Sequence, residues 1–368
     1  MRIGIDARPL ISESPSGIGN YLINILRYCN NSNSVEFVLY SNEDLRYHLD
    51  IVNKFETHVI PGIVGTIWIC YYLGRYLHKD HIDVFWGTQH MIPLNTKGIR
   101  LILTVHDLAL LLNPSWGSTQ NVIMQNLFGR LSCRKANKIL ADSKATAEDV
   151  VRIINRKRED IRVITLGGGN LCRLSEERFE TINKRYGLLP NNYFLYMGTI
   201  EPRKNIINII NAFDTYCSKY KDEMMLVISG GKGWKYKPIF QSIEKSKLKD
   251  RIVVTGYVSE EDKILLFSNA RAFVFPSNYE GFGFPVLEAM SYGIPVVTSS
   301  VSSLPEVGGE YAFYVNEPSD FQEICDQMRK CVQLSQDERE QLSQKEIKWY
   351  STFDWAICAK LTIEELIS

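Results

Sequence analysis

Two adjacent cations in the second half of the chain could hold a phosphate ester. Arg203 and Lys204 follow the apolar run Tyr193–Met197, which predicts a strand, and they lead into a helical pattern that continues through Phe213. A helix start offers unpaired N–H groups and the positive end of a dipole, and an arginine fork with a lysine charge completes a pyrophosphate site. A solvated basic pair is the alternative interpretation.

A second segment carries carboxylates that could bind a polyhydroxyl compound. Glu280 and Glu288 follow the predicted strand Ala272–Phe275, the first on a loop and the second in the opening turns of a helix. Carboxylates suit paired acceptance from vicinal sugar hydroxyls. Gly281 and Gly283 let the backbone approach a ligand and direct N–H groups at phosphate. Either glutamate could instead be an acidic residue favoured by the helix dipole.

The first half offers two further candidates. His106 follows the apolar run 101–105 and could donate to a sugar hydroxyl or a phosphate, although a purely structural histidine is the alternative. Gly17 and Gly19 lie on a loop before a helical run and could present backbone N–H groups to phosphate. The loop lacks the third glycine of a dinucleotide fingerprint, so a nicotinamide site is disfavoured.

Two series of short apolar runs alternate with helical stretches and would position these residues. Such runs are typical of parallel strands buried on both faces. Open parallel sheets bind ligands beyond the carboxyl ends of their strands, where the polar segments above are expected. The runs are 2–6, 35–40, 82–86, 101–105 and 138–141 in the first series, and 193–197, 225–229, 251–255, 272–275 and 295–298 in the second.

The length of 368 residues predicts two domains. Three consecutive glycines, a charged segment and a proline between 167 and 192 show no sustained strand pattern and mark the junction. We therefore predict an α/β protein with a first Rossmann-like domain at 1–170, a linker at 171–192 and a second Rossmann-like domain at 193–354. The sequence leaves open which domain the C-terminal helix 355–368 joins, and packing back onto the first domain is one alternative.

The charge balance and the cysteines limit the partners and the compartment. Lysine plus arginine and aspartate plus glutamate number 42 each, which disfavours nucleic acid as a partner. The eight cysteines form no Cys-x-x-Cys pair, and the start of the chain lacks the apolar stretch of a signal peptide. A cytoplasmic location is expected.

The most apolar stretch, 62–77, falls short of the roughly 20 apolar residues that span a bilayer, and a buried helix is the preferred interpretation. The alternative is weak peripheral association with the inner face of the membrane through Trp68, Tyr71, Tyr72 and Arg75.

No metal is expected. The sequence contains no Asp-x-Asp triplet, and His78 and His81 stand beside Asp80 and Asp83 without a complete ligand set.

These polar segments occur in the order seen in family 4 glycosyltransferases of the GT-B fold, and the chain resembles that family, especially its mannosyltransferase branch, over nearly its whole length. The resemblance implies two Rossmann-like domains with parallel sheets that face each other across a cleft. It rests on segments 4–10, 17–19, 104–107 and 141–143 in the first half, and 198–205, 230–234, 256–258, 280–288 and 302–307 in the second. The chain departs from the family at 163–170, which lacks the usual acidic residue, and at 309–314, which is bulkier.

The resemblance implies roles for individual residues. Glu280 would contact the donor sugar, Glu288 the ribose hydroxyls, and Arg203 with Lys204 the diphosphate. The implied catalytic residues are His106, Arg203, Lys204 and Glu280. The implied donor-binding residues are Gly17, Gly19, Asp107, Gly198, Arg203, Lys204, Tyr257, Val258, Ser277, Glu280, Gly281, Phe282, Gly283, Phe284 and Glu288.

The predicted function is that of a retaining glycosyltransferase without cofactor. It would transfer a hexosyl group, with mannose from GDP-mannose as the expected donor, to a glycan or lipid-linked saccharide in cell-surface polysaccharide synthesis. The alternatives are a UDP-sugar or other nucleotide-sugar donor, a phosphorylase or epimerase of the same fold, and a non-catalytic partner in an assembly complex. Candidates to contact the acceptor are Trp86, Gln89, His90 and the loop around Trp116.

Overall fold

The computed structural model describes residues 1–13, 16–32, 34–62, 65–169 and 179–368. The chain forms two compact units: unit 1 comprises Met1–Gly167 with Phe353–Ser368, and unit 2 comprises Gly168–Thr352. Asn170 and residues 171–178 of the predicted linker lie outside the described residues. The C-terminal segment, whose placement the sequence left open, is part of unit 1.

Unit 1 is built on a parallel sheet. Within its described residues the sheet has seven strands in the order β3-β2-β1-β4-β5-β6-β7. The side chains of its central strands are mainly apolar on both faces because helices cover both sides. The strands are β1 (Arg2–Asp6), β2 (Glu36–Ser41), β3 (Glu56–Val59), β4 (Val84–Gly87), β5 (Arg100–Val105), β6 (Lys138–Ala141) and β7 (Ile161–Val163).

Unit 2 repeats the plan. Its described residues form a six-stranded sheet in the order β10-β9-β8-β11-β12-β13, and every pairing is parallel. The strands are β8 (Tyr193–Met197), β9 (Met225–Ser229), β10 (Ile252–Gly256), β11 (Ala272–Phe275), β12 (Val296–Ser299) and β13 (Phe313–Val315). The prediction of two Rossmann-like parallel α/β domains is confirmed.

The ten predicted apolar runs all coincide with strands, to within two residues at each end. Three strands, β3, β7 and β13, were not predicted, and each lies at a sheet edge. An edge strand has a neighbour on one side only, so these strands are short and partly exposed rather than continuously apolar.

Helices connect the strands in both units. In unit 1 they are α1 (Gly17–Leu26), α2 (Leu49–Val52), α3 (Gly65–Ile67), α4 (Gly74–Lys79), α5 (Ala109–Leu112), α6 (Thr119–Met124), α7 (Arg130–Lys135), α8 (Lys144–Asp149) and the C-terminal α17 (Trp355–Ile367). In unit 2 they are α9 (Phe179–Tyr186), α10 (Ile206–Tyr220), α11 (Lys237–Lys245), α12 (Glu260–Ser268), α13 (Phe284–Ser291), α14 (Leu304–Gly308), α15 (Phe321–Gln333) and α16 (Gln336–Tyr350). Helix α17 packs against α1, and Arg100 of β5 donates to the carbonyl of Glu365 over 2.9 Å.

The apolar stretch 62–77 contributes to the core of unit 1. The Trp68 side chain is fully buried, and its indole N–H donates to the carbonyl of Ile60 over 2.8 Å. The suggestion that Trp68 contacts a membrane is therefore wrong, whereas Tyr71 is 49% exposed. In the described ranges, no helix combines the length and the apolar character needed to cross a bilayer.

The turn after β9 requires glycine at one position. Gly230 has a φ of +143°, and a Cβ there would lie 2.0 Å from the carbonyl oxygen of Gly198, just after β8. At the next residue, Gly231, a Cβ would meet nothing within 4 Å. An alanine at Gly230 would therefore strain the backbone, whereas the same substitution at Gly231 would not.

We expect Gly230→Ala to lower the free energy of unfolding of unit 2 by about 2 kcal/mol or more, because the new Cβ must displace backbone and the φ is unfavourable for alanine. Thermal unfolding measures this as a fall in melting temperature of roughly 4–8 °C. Gly231→Ala is the matched control and should melt like the wild type. Equal melting of both variants would contradict the close approach of the two turns.

Candidate active site

The polar segments of unit 2 meet where the chain order of its sheet reverses. Strands β8 and β11 are neighbours, and successive strands run outward from them in opposite directions. At such a switch point the connecting segments diverge and leave a crevice at the carboxyl ends of the strands. The segments that follow β8 and β11 carry Arg203, Lys204 and Glu280.

Four charged side chains form a cluster there, hereafter the four-charge cluster: Glu201, Arg203, Lys204 and Glu280. The Lys204 Nζ lies 2.7 Å from Glu280 Oε1, and the Arg203 Nη1 lies 3.1 Å from Glu280 Oε2. Glu201 Oε1 accepts from Arg203 Nη2 over 2.8 Å. The structure therefore brings together three residues that the sequence singled out and adds Glu201, to which it gave no role.

The centre of the cluster is buried and ionic. Glu280 is 7% exposed and Lys204 8%. Burial alone would raise the pKa of Glu280, but the charges of Lys204 and Arg203 outweigh it and lower that pKa, so the carboxylate is ionised. Burial lowers the pKa of Lys204 and Arg203 adds to this, while Glu280 opposes both. The pairing keeps two charges inside the protein that burial alone would neutralise.

Backbone contacts hold the Arg203 turn against the loop after β11. The buried Ser277 hydroxyl lies 3.2 Å from the carbonyl oxygens of both Arg203 and Tyr279. The backbone N–H of Asn278 donates to the Arg203 carbonyl over 2.9 Å, and the Asn205 amide donates to the Pro276 carbonyl over 3.0 Å. Ser277, predicted as a donor contact, therefore also positions the turn that carries the cations.

Two serines fix the Glu280 backbone. Ser302 Oγ accepts from the Glu280 N–H over 2.9 Å. The buried Ser303 hydroxyl lies 2.9 Å from the Glu280 carbonyl oxygen and 2.7 Å from that of Phe282. The sequence gave these serines no role, and their presence in the resembling segment 302–307 was the only signal that could have found them.

The helix boundaries differ from the sequence prediction. Arg203 and Lys204 lie on the 3-10 turn Pro202–Lys204, and α10 begins only at Ile206, after Asn205 in a left-handed conformation with a φ of 63°. The expectation that the two cations begin the helix itself is therefore wrong by one turn.

Glu288 lies outside the four-charge cluster. Its Oε1 is 2.6 Å from the Nζ of Lys263 on α12, which also lies 2.7 Å from Glu260. Burial would lower the pKa of Lys263, but the two carboxylates raise it. The Glu288 side chain is 35% exposed, so a ligand can reach a carboxylate whose position Lys263 fixes.

The remaining predicted donor contacts of unit 2 follow strands β8, β10 and β11. Tyr257, just after β10, is 83% exposed, and Val258 beside it is partly buried. Phe282 is buried and packs edge-on against Phe284, with ring centroids 5.1 Å apart. Gly198 follows β8 directly, Gly281 is buried in the loop after β11, and Gly283 precedes α13.

In unit 1 a histidine is held at the ends of three neighbouring strands. His106, after β5, has Nδ1 2.6 Å from Asp142 Oδ2, after β6, and Nε2 3.0 Å from the Thr88 carbonyl, after β4. A carbonyl oxygen only accepts, so Nε2 donates to Thr88, and the Asp142 carboxylate favours a second proton on Nδ1. Burial lowers the pKa of His106, but Asp142 outweighs it and the net shift is upward. The sequence named His106 but gave Asp142 and Thr88 no role in binding or catalysis.

The other candidates of unit 1 lie close to this histidine. Asp107 Oδ1 accepts from the Ala109 N–H over 3.0 Å. Gly17 and Gly19 belong to the first turn of α1, so their prediction as a loop before the helix is wrong. Tyr21 on the same helix packs edge-on against His106, with ring centroids 5.1 Å apart. Across the described ranges, no group of three or more His, Cys, Asp or Glu side chains is placed to hold a metal ion.

Comparisons with known proteins decide the family. The family model described as Glycosyltransferase Family 4 matches residues 15–167, and the one described as Glycosyl transferases group 1 matches 178–349. O-antigen chain mannosyltransferase B of Escherichia coli is 32% identical over 289 residues, which are 78% of this chain and 74% of that protein. The chain belongs to glycosyltransferase family 4.

Other relatives agree with this assignment. O-antigen chain mannosyltransferase RfbU of Salmonella typhimurium is 26% identical to the glycosyltransferase over 83% of this chain and 84% of its own. The structure of Anabaena HepE in complex with UDP and glucose superposes with a TM-score of 0.75 at 19% identity, covering 100% of this chain and 99% of that one. The enzyme therefore has the GT-B fold.

We expect Asp142→Asn to lower the pKa of His106, measured by NMR titration of the ring. A folded-state pKa above the unfolded value of about 6.5 means that the pair stabilises fully below that pH, and that this stability is lost as pH rises through the raised pKa. The stability difference between wild type and variant should therefore shrink with rising pH. Glu159→Gln, at a side chain 74% exposed, is the control. An unchanged His106 titration in Asp142→Asn would show that another group holds the proton.

Proposed function

We propose that this glycosyltransferase transfers a mannosyl group from GDP-mannose to a glycan or lipid-linked saccharide in cell-surface polysaccharide synthesis. The anomeric configuration is retained, and no metal takes part. The observation that carries the proposal is the four-charge cluster, in which a buried lysine and an arginine flank the Glu280 carboxylate at the β8/β11 switch point.

The cluster suits the transition state of glycosyl transfer. Negative charge develops on the departing diphosphate, and prepositioned cations stabilise it without rearrangement during the reaction. Lys204 donates one of its three N–H groups to Glu280, so the same ammonium group can also bind a phosphate oxygen. Glu280, fixed by both cations, retains lone pairs for the hydroxyls of the transferred sugar. Two fixed cations thus take the part that a divalent ion has in metal-dependent transferases.

The names of the two bacterial relatives support mannose as the transferred sugar. A UDP-sugar is the second candidate donor, because the solved relative binds UDP and because diphosphate and sugar contacts are common to all such donors. Exposed Tyr257, after β10, would contact the base, where the nucleotides differ, and partly exposed Glu288 would contact the ribose, which they share.

We expect GDP and GDP-mannose to raise the melting temperature of the enzyme more than uridine nucleotides do, with chelator present throughout. Ligand at about 100 times its Kd stabilises by about 2.7 kcal/mol. Lys204→Met should weaken this stabilisation and slow transfer by roughly 100-fold or more, because one charge-stabilising donor is lost. Lys219→Met is the control, since Lys219 is exposed in the last turn of α10.

The outcomes separate the alternatives. Stabilisation by uridine compounds alone would replace the donor but keep the reaction. Donor binding without transfer to any acceptor would support the alternative of a non-catalytic partner in an assembly complex. A need for divalent ions would overturn metal independence, and full activity of Lys204→Met would remove the four-charge cluster from the mechanism.

We also propose that unit 1 associates peripherally with the cytoplasmic face of the membrane, where a lipid-linked acceptor would lie. Ile123 and Leu127 are each 51% exposed and Leu131 is 41% exposed, at intervals of four residues along the helical stretch 119–135. Tyr71, 49% exposed, packs beside them on Phe128. Arg134 and Lys135 end this stretch with positive charge. Apolar and basic residues together favour the surface of an anionic bilayer.

We expect replacement of Ile123, Leu127 and Leu131 by serine to reduce cosedimentation with vesicles of anionic lipid, because the apolar area that inserts is lost. Donor-induced thermal stabilisation should stay unchanged, which controls for folding. Ile357→Ser, at another exposed apolar side chain of unit 1, is the matched control. Equal sedimentation of all three proteins would exclude this surface.

A further inference from the structure

The turn after β4 holds a histidine in an unusual conformation. A Cβ on Gly87 would lie 2.4 Å from the Met91 carbonyl oxygen, so the chain folds back tightly over the strand end. The Thr88 hydroxyl ties this turn to β1 by donating to the Asp6 carbonyl over 2.7 Å. His90, within the turn, has a φ of 58°, in the left-handed region that few residues other than glycine adopt.

The turn lies at the switch point of unit 1. Strands β1 and β4 are neighbours, and the chain order of the sheet reverses between them. The His90 ring packs edge-on against that of His106, with centroids 5.5 Å apart and planes at 80°. Strained residues cluster at functional sites, and open α/β sheets bind ligands at the switch point.

The hydrogen bonding of the two histidines differs. Both ring nitrogens of His106 contact acceptors, whereas the buried Nδ1 of His90 has no hydrogen-bond partner among the described residues. Burial lowers the pKa of His90, Asp107 opposes this, and the His106 charge adds to the lowering, so that the pKa is about 4. At neutral pH the His90 ring is therefore uncharged.

An uncharged imidazole beside a carboxylate suits one ligand class. Because its Nδ1 is buried, the ring has Nε2 as the nitrogen that can hydrogen-bond a sugar hydroxyl. A phosphate would gain no charge attraction from the ring and would be repelled by Asp107. The low pKa also makes His90 a weak base, so binding rather than proton abstraction fits its chemistry. Of the sequence candidates for acceptor contact, Trp86 is fully buried and donates to Thr104 over 2.9 Å, which assigns it to the core.

We propose that His90 is an acceptor-binding residue, whose uncharged ring hydrogen-bonds a hydroxyl of the incoming saccharide. This inference rests on the proposed function and names a residue of unit 1 that would hydrogen-bond the acceptor. The strained turn is then the means by which the fold presents the ring at the strand ends.

The test compares His90→Gly and His90→Asn with the control His81→Gly. His81 also has a left-handed φ, of 53°, but precedes β4 at its other end and is exposed. Glycine removes the ring without strain, and asparagine suits the same φ while keeping a donor and an acceptor. With mannobiose and mannotriose as acceptors, His90→Gly should raise the acceptor KM about threefold to tenfold. His90→Asn should restore part of this, while His81→Gly and the donor Kd of every variant stay at wild-type values.

An unchanged acceptor KM in His90→Gly would overturn the inference, as would a parallel loss of donor affinity, which would show a merely structural effect. Ring ¹⁵N NMR of the wild type gives a readout independent of turnover: mannotriose should shift the His90 nitrogens and leave those of His81 unmoved. Absence of transfer from any nucleotide sugar would defeat the proposed function. Transfer with an acceptor KM and His90 ¹⁵N shifts that do not change would defeat this inference alone.

Discussion

A buried carboxylate between two cations is the interaction on which unit 2 depends. Glu280 lies inside the protein with Lys204 on one oxygen and Arg203 on the other. A charge in such a place is tolerated only when it is paired and hydrogen-bonded, so the loops that carry the three residues must meet in one geometry. The hydroxyls of Ser277 and Ser303 supply the contacts to backbone that keep them there. The same requirement that stabilises the loops thus holds two cations and a carboxylate together at the strand ends.

Both units use the same property of parallel sheets, with different chemistry. The carboxyl ends of adjacent strands converge, so polar residues that are distant in sequence meet after β8 and β11 in unit 2 and after β4, β5 and β6 in unit 1. In unit 2 the cations are a lysine and an arginine that are paired with Glu280. In unit 1 the cation is His106, whose charge depends on Asp142.

The sequence predicted those features that local composition determines. Buried central strands are continuous apolar runs, and Arg203, Lys204 and Glu280 follow such runs directly, so their meeting could be expected. The edge strands β3, β7 and β13 lack that pattern because one side faces away from the sheet. The helix start after Lys204 was misplaced because the left-handed Asn205 is fixed by a hydrogen bond from its side-chain amide to the carbonyl of Pro276, which is distant in sequence. The bonds of His106 to Thr88 and Asp142 likewise join separate strands, and no local pattern encodes them.

The two histidines of unit 1 show how one site gives identical side chains opposite properties. His106 keeps its charge because a carboxylate and a carbonyl face its two nitrogens. That charge disfavours a second one on His90, whose ring centroid is 5.5 Å away and whose buried Nδ1 has no partner to stabilise a proton. The contacts of His106 therefore add to the burial that keeps the His90 ring uncharged. A change at Asp142 would reach the His90 ring without touching it, because a neutral His106 no longer repels a proton there.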